Sequence, residues 1–308
     1  MTGRWVARFA MGRRTATGID VGADEVRVAV LSRGRRGANV RVEGLEAEPL
    51  GPTEGLEDAR WAAVGRALSA AVSRLAARGV RCDTCGVMAL RDDEMRTATL
   101  DLAGRDDIAD AARQAAERIS GLAPDSLAFD WRPGDGARPA EIAIAAAPQI
   151  LLQRRVDAAA LAGVDLTAVD GESMAALRAL RHAATRELDA HEPYCALWFG
   201  EAGVRGWWLE RGAAVLQFAF PDRAHAALPD ALRSFARQPA HCVVVGGDDR
   251  CVARFGTSVA EVGDLLGAIA LPFECAQWAA DVADAQSGVP RGPAFAVAFG
   301  LALRGVWE

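Results

Sequence analysis

Thr17-Gly18-Ile19-Asp20-Val21-Gly22-Ala23-Asp24-Glu25-Val26-Arg27-Val28-Ala29-Val30-Leu31 reads as an apolar strand that ends in Asp-x-Gly, turns within a few residues and returns as a second strand. Val26, Val28 and Val30 recur at the period of two that a pleated strand imposes. Gly22 stands where the backbone must turn tightly or approach a ligand closely. The rest of the chain is placed relative to this hairpin.

Moving residues 19–34 along the chain by 178 positions, without a gap, sets Gly22 on Gly200, Val26 on Val204, Arg27 on Arg205, Leu31 on Leu209, Arg33 on Arg211 and Gly34 on Gly212. These are six identities in sixteen positions, with both turn glycines among them. Two halves that each open with strand, glycine turn, strand, turn and strand describe two copies of one α/β unit facing a shared cleft.

The 308 residues suffice for one large bilobed unit or two domains with separate cores. Half are hydrophobic and a quarter charged, the balance of an ordinary globular chain. A formal net charge of −6 argues against a general nucleic-acid binder, whose affinity would come from a basic face. All 35 basic residues are arginine, so neither a P-loop nor a Schiff-base mechanism is available, since each needs a lysine. Cys82-x-x-Cys85 has no second ligand pair nearby to complete a zinc site, and all six cysteines are expected as free thiols in a reducing compartment. Met1–Arg14 is too short and too charged for a signal sequence. No run of about eighteen apolar residues occurs, so no membrane span is expected.

Taken in order, residues 1–16 are expected as a mobile basic and aromatic tail, and 17–91 as the first part of one lobe. That part holds a third strand over 39–43 and a helix whose apolar stripe is Trp61, Val64, Leu68, Val72 and Leu75, stopped by Gly79. Residues 92–170 read as a small inserted β-α-β-β-α-β module. A connecting helix follows in 171–194, with Asp170 as its expected N-cap. Residues 195–291 form the second lobe, including the apolar strand His241–Val245 that runs into Gly246-Gly247, and 292–308 an apolar C-terminal helix packing between the lobes. In the second hairpin Trp207-Trp208 is a candidate contact face, with alternation turning one ring inward and the other out.

Two such meanders, an Asp-x-Gly turn in the first and a late strand ending in Gly-Gly resemble the actin-like nucleotide-binding fold. Within it, the order of pieces is most similar to the type IV pilus assembly protein PilM family, related to the cell-division protein FtsA. The residues that carry this are Thr17–Leu31, Glu141-Ile-Ala-Ile-Ala-Ala-Ala, Leu161-Ala-Gly-Val-Asp-Leu-Thr-Ala-Val-Asp170-Gly-Glu172 and Ala298-Phe-Gly-Leu-Ala-Leu-Arg-Gly305. The resemblance implies an α/β, duplicated ribonuclease H-like, two-lobed fold with the small module inserted in the first lobe. It also implies ATP and Mg²⁺ in the cleft. Asp20, Gly22, Arg27, Gly200, Gly246 and Gly247 would then lie against the nucleotide, with Asp20 holding Mg²⁺ through water, and Asp20 and Glu172 are the carboxylates available for catalysis.

Several residues depart from the family pattern. Ala23 and Asp24 stand where small hydroxyl residues are usual, Arg27 where a lysine is, Trp198 where the second turn would carry an aspartate, and Asp248 where a small residue follows the Gly-Gly pair. Asp24 sets a carboxylate where a phosphate nest is wanted, and Trp198 cannot bind a metal, so half of the nucleotide apparatus is missing. The expectation is a cytoplasmic scaffold, peripheral to the inner membrane, that binds the N-terminal tail of a PilN-like membrane protein. A pilus motor ATPase and a second copy of the chain are further partners, and hydrolysis is weak at most. The alternative is an ATP-dependent small-molecule kinase or ATPase on the same fold.

Overall fold

The opening hairpin forms with strands β1 (Arg14–Val21) and β2 (Glu25–Arg33) antiparallel, which sets Asp20 opposite Arg27 and Val21 opposite Val26. This is a computed structural model that describes residues 14–34, 39–51, 57–82, 85–102, 107–133, 141–235, 240–278 and 292–307. The expected N-terminal tail lies outside the described residues up to position 13, and Arg14–Ala16, expected in that tail, belong to β1. Strand β3 (Val40–Pro49) completes the meander and is longer than the expected 39–43. Its second half is charged, which hid it from a hydrophobic period. Glu46 there takes Arg74 at 3.0 Å from the helix packed over the sheet and Arg78 at 2.6 Å from the turn just after it.

That helix, α1 (Glu57–Ala77), buries Trp61, Val64, Leu68 and Leu75 as the stripe required, and the chain reverses at Gly79 with φ +81°. Strand β4 (Gly86–Leu90) is buried along its whole length and runs parallel to β1. A three-stranded antiparallel sheet then departs from the lobe. It consists of β5 (Arg96–Asp101), β6 (Leu127–Pro133) and β7 (Glu141–Pro148) in the order β5-β7-β6. Helix α2 (Ile108–Ser120) covers it, capped by the Asp107 side chain and ended by Gly121 at φ +67°. The module's core is small: Ala112, Ala115 and Ala116 against Ile142, Ile144 and Ala146.

The module is shorter than the expected 92–170. Helix α3 (Gln149–Leu161) packs its Ala158 and Ala159 into the cluster of Trp61, Val64 and Leu68, and β8 (Leu166–Gly171) pairs parallel with β4. Periodicity shows that a strand exists but not which sheet takes it up. Arg155 of α3 fastens this return. Buried against the Trp61 ring, it donates to the Ala89 and Leu151 carbonyls at 2.7 and 2.8 Å and pairs with Glu94 at 2.5 Å.

Helix α4 (Glu172–Glu187) crosses to the second lobe. Its N-cap is Gly171, with no side-chain cap, because Asp170 is drawn to Arg178 at 2.8 Å and Arg304 at 3.3 Å instead. The second lobe repeats the first. Strands β9 (Tyr194–Gly200), β10 (Gly203–Glu210) and β11 (Ala213–Pro221) form the meander. Helix α5 (Leu228–Phe235), strand β12 (Cys242–Gly247), helices α6 (Asp249–Arg254) and α7 (Val259–Leu266) and strand β13 (Ile269–Pro272) follow. The sheets read β3-β2-β1-β4-β8 and β11-β10-β9-β12-β13, the same topology twice.

The repeat extends to register. Ile19–Val28, Asp20–Arg27 and Val21–Val26 correspond to Leu197–Gly206, Trp198–Arg205 and Phe199–Val204, all displaced by 178 residues, and the bulges after Val30 and Trp208 match as well. Trp207 and Trp208 are both buried, one toward the core between the lobes and one toward the outer core of the second lobe. Neither forms the expected contact face, because both rings are taken up by the protein's own cores. Helix α7 begins with a full Ser258–Glu261 capping box, so Ser258→Ala should lower stability by about 1 kcal/mol in denaturant unfolding.

The C-terminal helix α8 (Ala296–Trp307) lies in the middle of the molecule, ten of its twelve residues buried, against β1, β2, β4 and α4. It seats so closely that a Cβ on Gly18 would fall 1.9 Å from the Ala298 carbonyl oxygen, and one on Gly300 1.8 Å from that of Ala175.

Candidate functional site

The glycine turns of the two hairpins face each other across the cleft between the lobes, so the residues singled out around them do converge. Asp20 stands one residue before the end of β1 with its side chain buried, and the hairpin register puts Arg27 beside it, Nη1 3.3 Å from the Asp20 carboxylate. Arg27 Nη2 meets Glu25 at 2.6 Å and, from the opposite lobe, Asp248 at 2.6 Å. Burial works against the Arg27 charge, yet Asp20, Glu25 and Asp248 together hold its pKa above the usual value. Burial pushes Asp20 up to about 6, with Arg27 pulling the other way and Glu201 and Glu25 adding to the rise. Asp248 is also opposed by burial, but the Arg250 amide and side chain and Arg27 hold it below the ordinary range.

The first turn is occupied by the protein's own groups. The Gly22 amide donates to the Glu25 carbonyl at 2.9 Å, and the Gly22 carbonyl accepts from Arg60 at 3.0 Å. The Ala23 amide donates to the carboxylate of Glu201, which reaches over from the second turn. A Cβ on Gly22 would stand 3.2 Å from that same carboxylate. Arg250 spans Asp24 at 3.5 Å, Glu25 at 3.7 Å and Asp248 at 3.2 Å.

The glycines of the second lobe have internal neighbours too. The Trp198 indole lies over Gly200, and a Cβ on Gly246 would meet Leu180 and Ala296 at 3.0 and 3.1 Å. Gly247 adopts φ +125° with the Phe199 carbonyl where a side chain would be, a conformation that glycine alone takes readily. Glu172, the other candidate carboxylate, accepts from the Asp92 amide at 3.0 Å and is pushed by burial up to about 8, the Asp92 amide opposing and the Asp92 and Asp20 charges adding. Asp92 pairs with Arg205 of the second lobe at 2.7 Å.

These residues do not fit ATP and Mg²⁺. The amide that would cradle a phosphate already holds Glu201, and both terminal nitrogens of Arg27 already face carboxylates. Asp20 faces a guanidinium. Among the described residues no group of three or more metal-ligating side chains is placed to hold an ion. The Arg27 Nε is buried without a hydrogen-bond partner. The resemblance grouped Asp20, Gly22 and Arg27 around a nucleotide, but it assigned no partners to Glu201, Asp248, Asp92, Arg205 or Arg250. One signal was available: the repeat superposes Arg27 on Arg205, which marks both as cleft residues.

The six cysteines form no disulfide, and Cys85 makes contacts of 3.5 Å with the Gly305 carbonyl and the Thr167 hydroxyl. No protein-family model matches the sequence, and no curated protein does. Among solved structures, a chain of the PilM–PilN type IV pilus biogenesis complex superposes with a TM-score of 0.70 at 20% identity, covering 94% of this chain and 98% of that one. Looser likenesses reach a Bacteroides thetaiotaomicron protein with an actin-like ATPase fold (TM-score 0.46, 7% identity, 83% of this chain and 90% of that one). They also reach the cytoplasmic domain of EpsL from the Vibrio cholerae type II secretion system (0.43, 8%, 75% and 81%). The doubled sheet, its common register and the full-length superposition agree: the chain has the duplicated, two-lobed α/β fold of that chain of the PilM–PilN complex.

Proposed function

We propose that the chain is a scaffold of a type IV pilus assembly complex and holds the N-terminal tail of a PilN-like membrane protein. The observation that carries this reading is the superposition, over nearly the whole of both chains, on a chain of the PilM–PilN complex. No described helix is long and apolar enough to cross a membrane, so attachment to the inner membrane, from the cytoplasmic side, would come through that partner. A cleft filled by the protein's own ion pairs favours a scaffold over a kinase or ATPase, because Asp20 is committed to Arg27.

The tail would lie in the groove between the inserted module and the first lobe. The module offers an edge strand there, β6, with Phe129 37% exposed, and beside it Ile150 at the start of α3, 56% exposed. An extended peptide draws affinity from main-chain hydrogen bonds along such an edge and specificity from alternate side chains. A fluorescently labelled tail peptide should bind the purified chain with a dissociation constant of about 1–10 μM, and Phe129→Glu should weaken it by about tenfold. Absence of binding at tens of micromolar peptide would remove this reading.

A further inference from the structure

We propose that the cleft is a self-filled phosphate site, held shut without nucleotide by two ion pairs that the internal duplication places on either side of the molecule's pseudo-twofold axis. Arg27 of β2 reaches Asp248, directly after β12 of the other lobe, at 2.6 Å. Arg205 of β10, 178 residues later, reaches Asp92, shortly after β4 of the first lobe, at 2.7 Å. Each arginine stands on the second strand of its own hairpin, and each aspartate just beyond the fourth strand of the opposite sheet. The two bridges therefore join equivalent arginines to aspartates one position apart in the repeat, since the strand pairing matches Asp92 with Asp249 and Asp248 with Arg91. Between them the Glu201 carboxylate sits on the Ala23 amide, the position a phosphate oxygen would take, so an anion carried by the second lobe closes the nest of the first.

Three of the four bridging side chains are 18% exposed or less, so the pairs lie where solvent screening is weak, and Arg205, at 39%, is the open end. An incoming triphosphate would have to displace Glu201 and would meet Asp20, Asp24, Glu25 and Asp248. Closure that needs ligand in a nucleotide-driven clamp is here supplied by the chain itself.

Hydrogen exchange on the full chain tests this through the segments spanning 20–27 and 198–206. Expected are no added protection from about 1 mM ATP with Mg²⁺, and on the order of tenfold faster exchange in both segments in Arg205→Asp. Arg205→Asp combined with Asp92→Arg should return exchange close to the wild-type rate, because the reversed pair restores the bridge and keeps the Asp92 backbone amide that Glu172 uses. Protection by ATP in the wild type would overturn the proposal, as would a reversed pair that folds yet stays as loose as the single variant. If the charge-reversed chains fail to fold, the neutral variant Asp92→Asn decides, since it keeps the backbone amide that Glu172 uses: faster exchange confined to these two segments supports the bridges, and unchanged exchange refutes them. Failure of the tail peptide to bind leaves these outcomes untouched, since none depends on the groove at the module.

Discussion

Alanine at position 300 is expected to destabilise the chain by about 4 kcal/mol, near the upper end for a single methyl group, because the methyl would meet backbone rather than a movable side chain. The Ala175 carbonyl oxygen lies 1.8 Å from where the new Cβ would stand, and on the other side of α8 the Ala298 carbonyl oxygen lies 1.9 Å from a Cβ on Gly18. Helix α8 is thus wedged between β1 and α4 with backbone touching backbone at two points. Moving it out by the ångström or more that the clash requires would open the cluster of Phe299, Leu301 and Leu303 that joins the two lobes. Gly18→Ala should cost a similar amount. Gly79→Ala provides the control: φ is +81° but nothing lies within 4 Å, so backbone strain alone should cost about 1 kcal/mol. Denaturant midpoints for the three variants separate the two causes. A Gly300→Ala protein within 1 kcal/mol of wild type would mean that α8 is not seated in this way.

Stability should fall as the pH rises through the neutral range, and Glu172 should account for much of the fall. Its carboxyl is pushed from an ordinary 4.5 to about 8, chiefly by burial. A carboxyl whose folded pKa is raised binds its proton more tightly in the native state. The stability it contributes is fully present below about pH 4.5 and is lost as the pH climbs through about 8. At about 1.4 kcal/mol per unit the bound is roughly 5 kcal/mol, and residual contact with water brings the expected loss to on the order of 3 kcal/mol. Asp20, raised to about 6, adds a smaller loss of the same sign at lower pH. Glu172→Gln keeps an oxygen for the Asp92 amide but has no charge to bury. The variant should therefore match wild type near pH 5 and exceed it by about 3 kcal/mol at pH 8.5. Unfolding curves taken from pH 5 to 9 on both proteins give the difference directly, and parallel curves would show that Glu172 ionises freely in the fold.

Local rules made several parts of this molecule legible in the sequence. Alternating Val26, Val28 and Val30 around Gly22 named a hairpin, the 178-residue repeat named its copy, and Trp61, Val64, Leu68 and Leu75 named one face of α1. The register of that hairpin, which the structure supplies, puts Asp20 beside Arg27. The tertiary structure alone decided that β8 joins β4 rather than the inserted sheet, that Trp207 and Trp208 both turn inward, and that Gly200, Gly246 and Gly247 serve close packing. It also decided the character of the cleft. Arg27–Asp248, Arg205–Asp92 and Ala23–Glu201 join residues 221, 113 and 178 positions apart. Hydrophobic period and turn chemistry are set within a few residues along the chain, whereas ion pairs across a cleft exist only once two separately formed sheets have been brought face to face around α8.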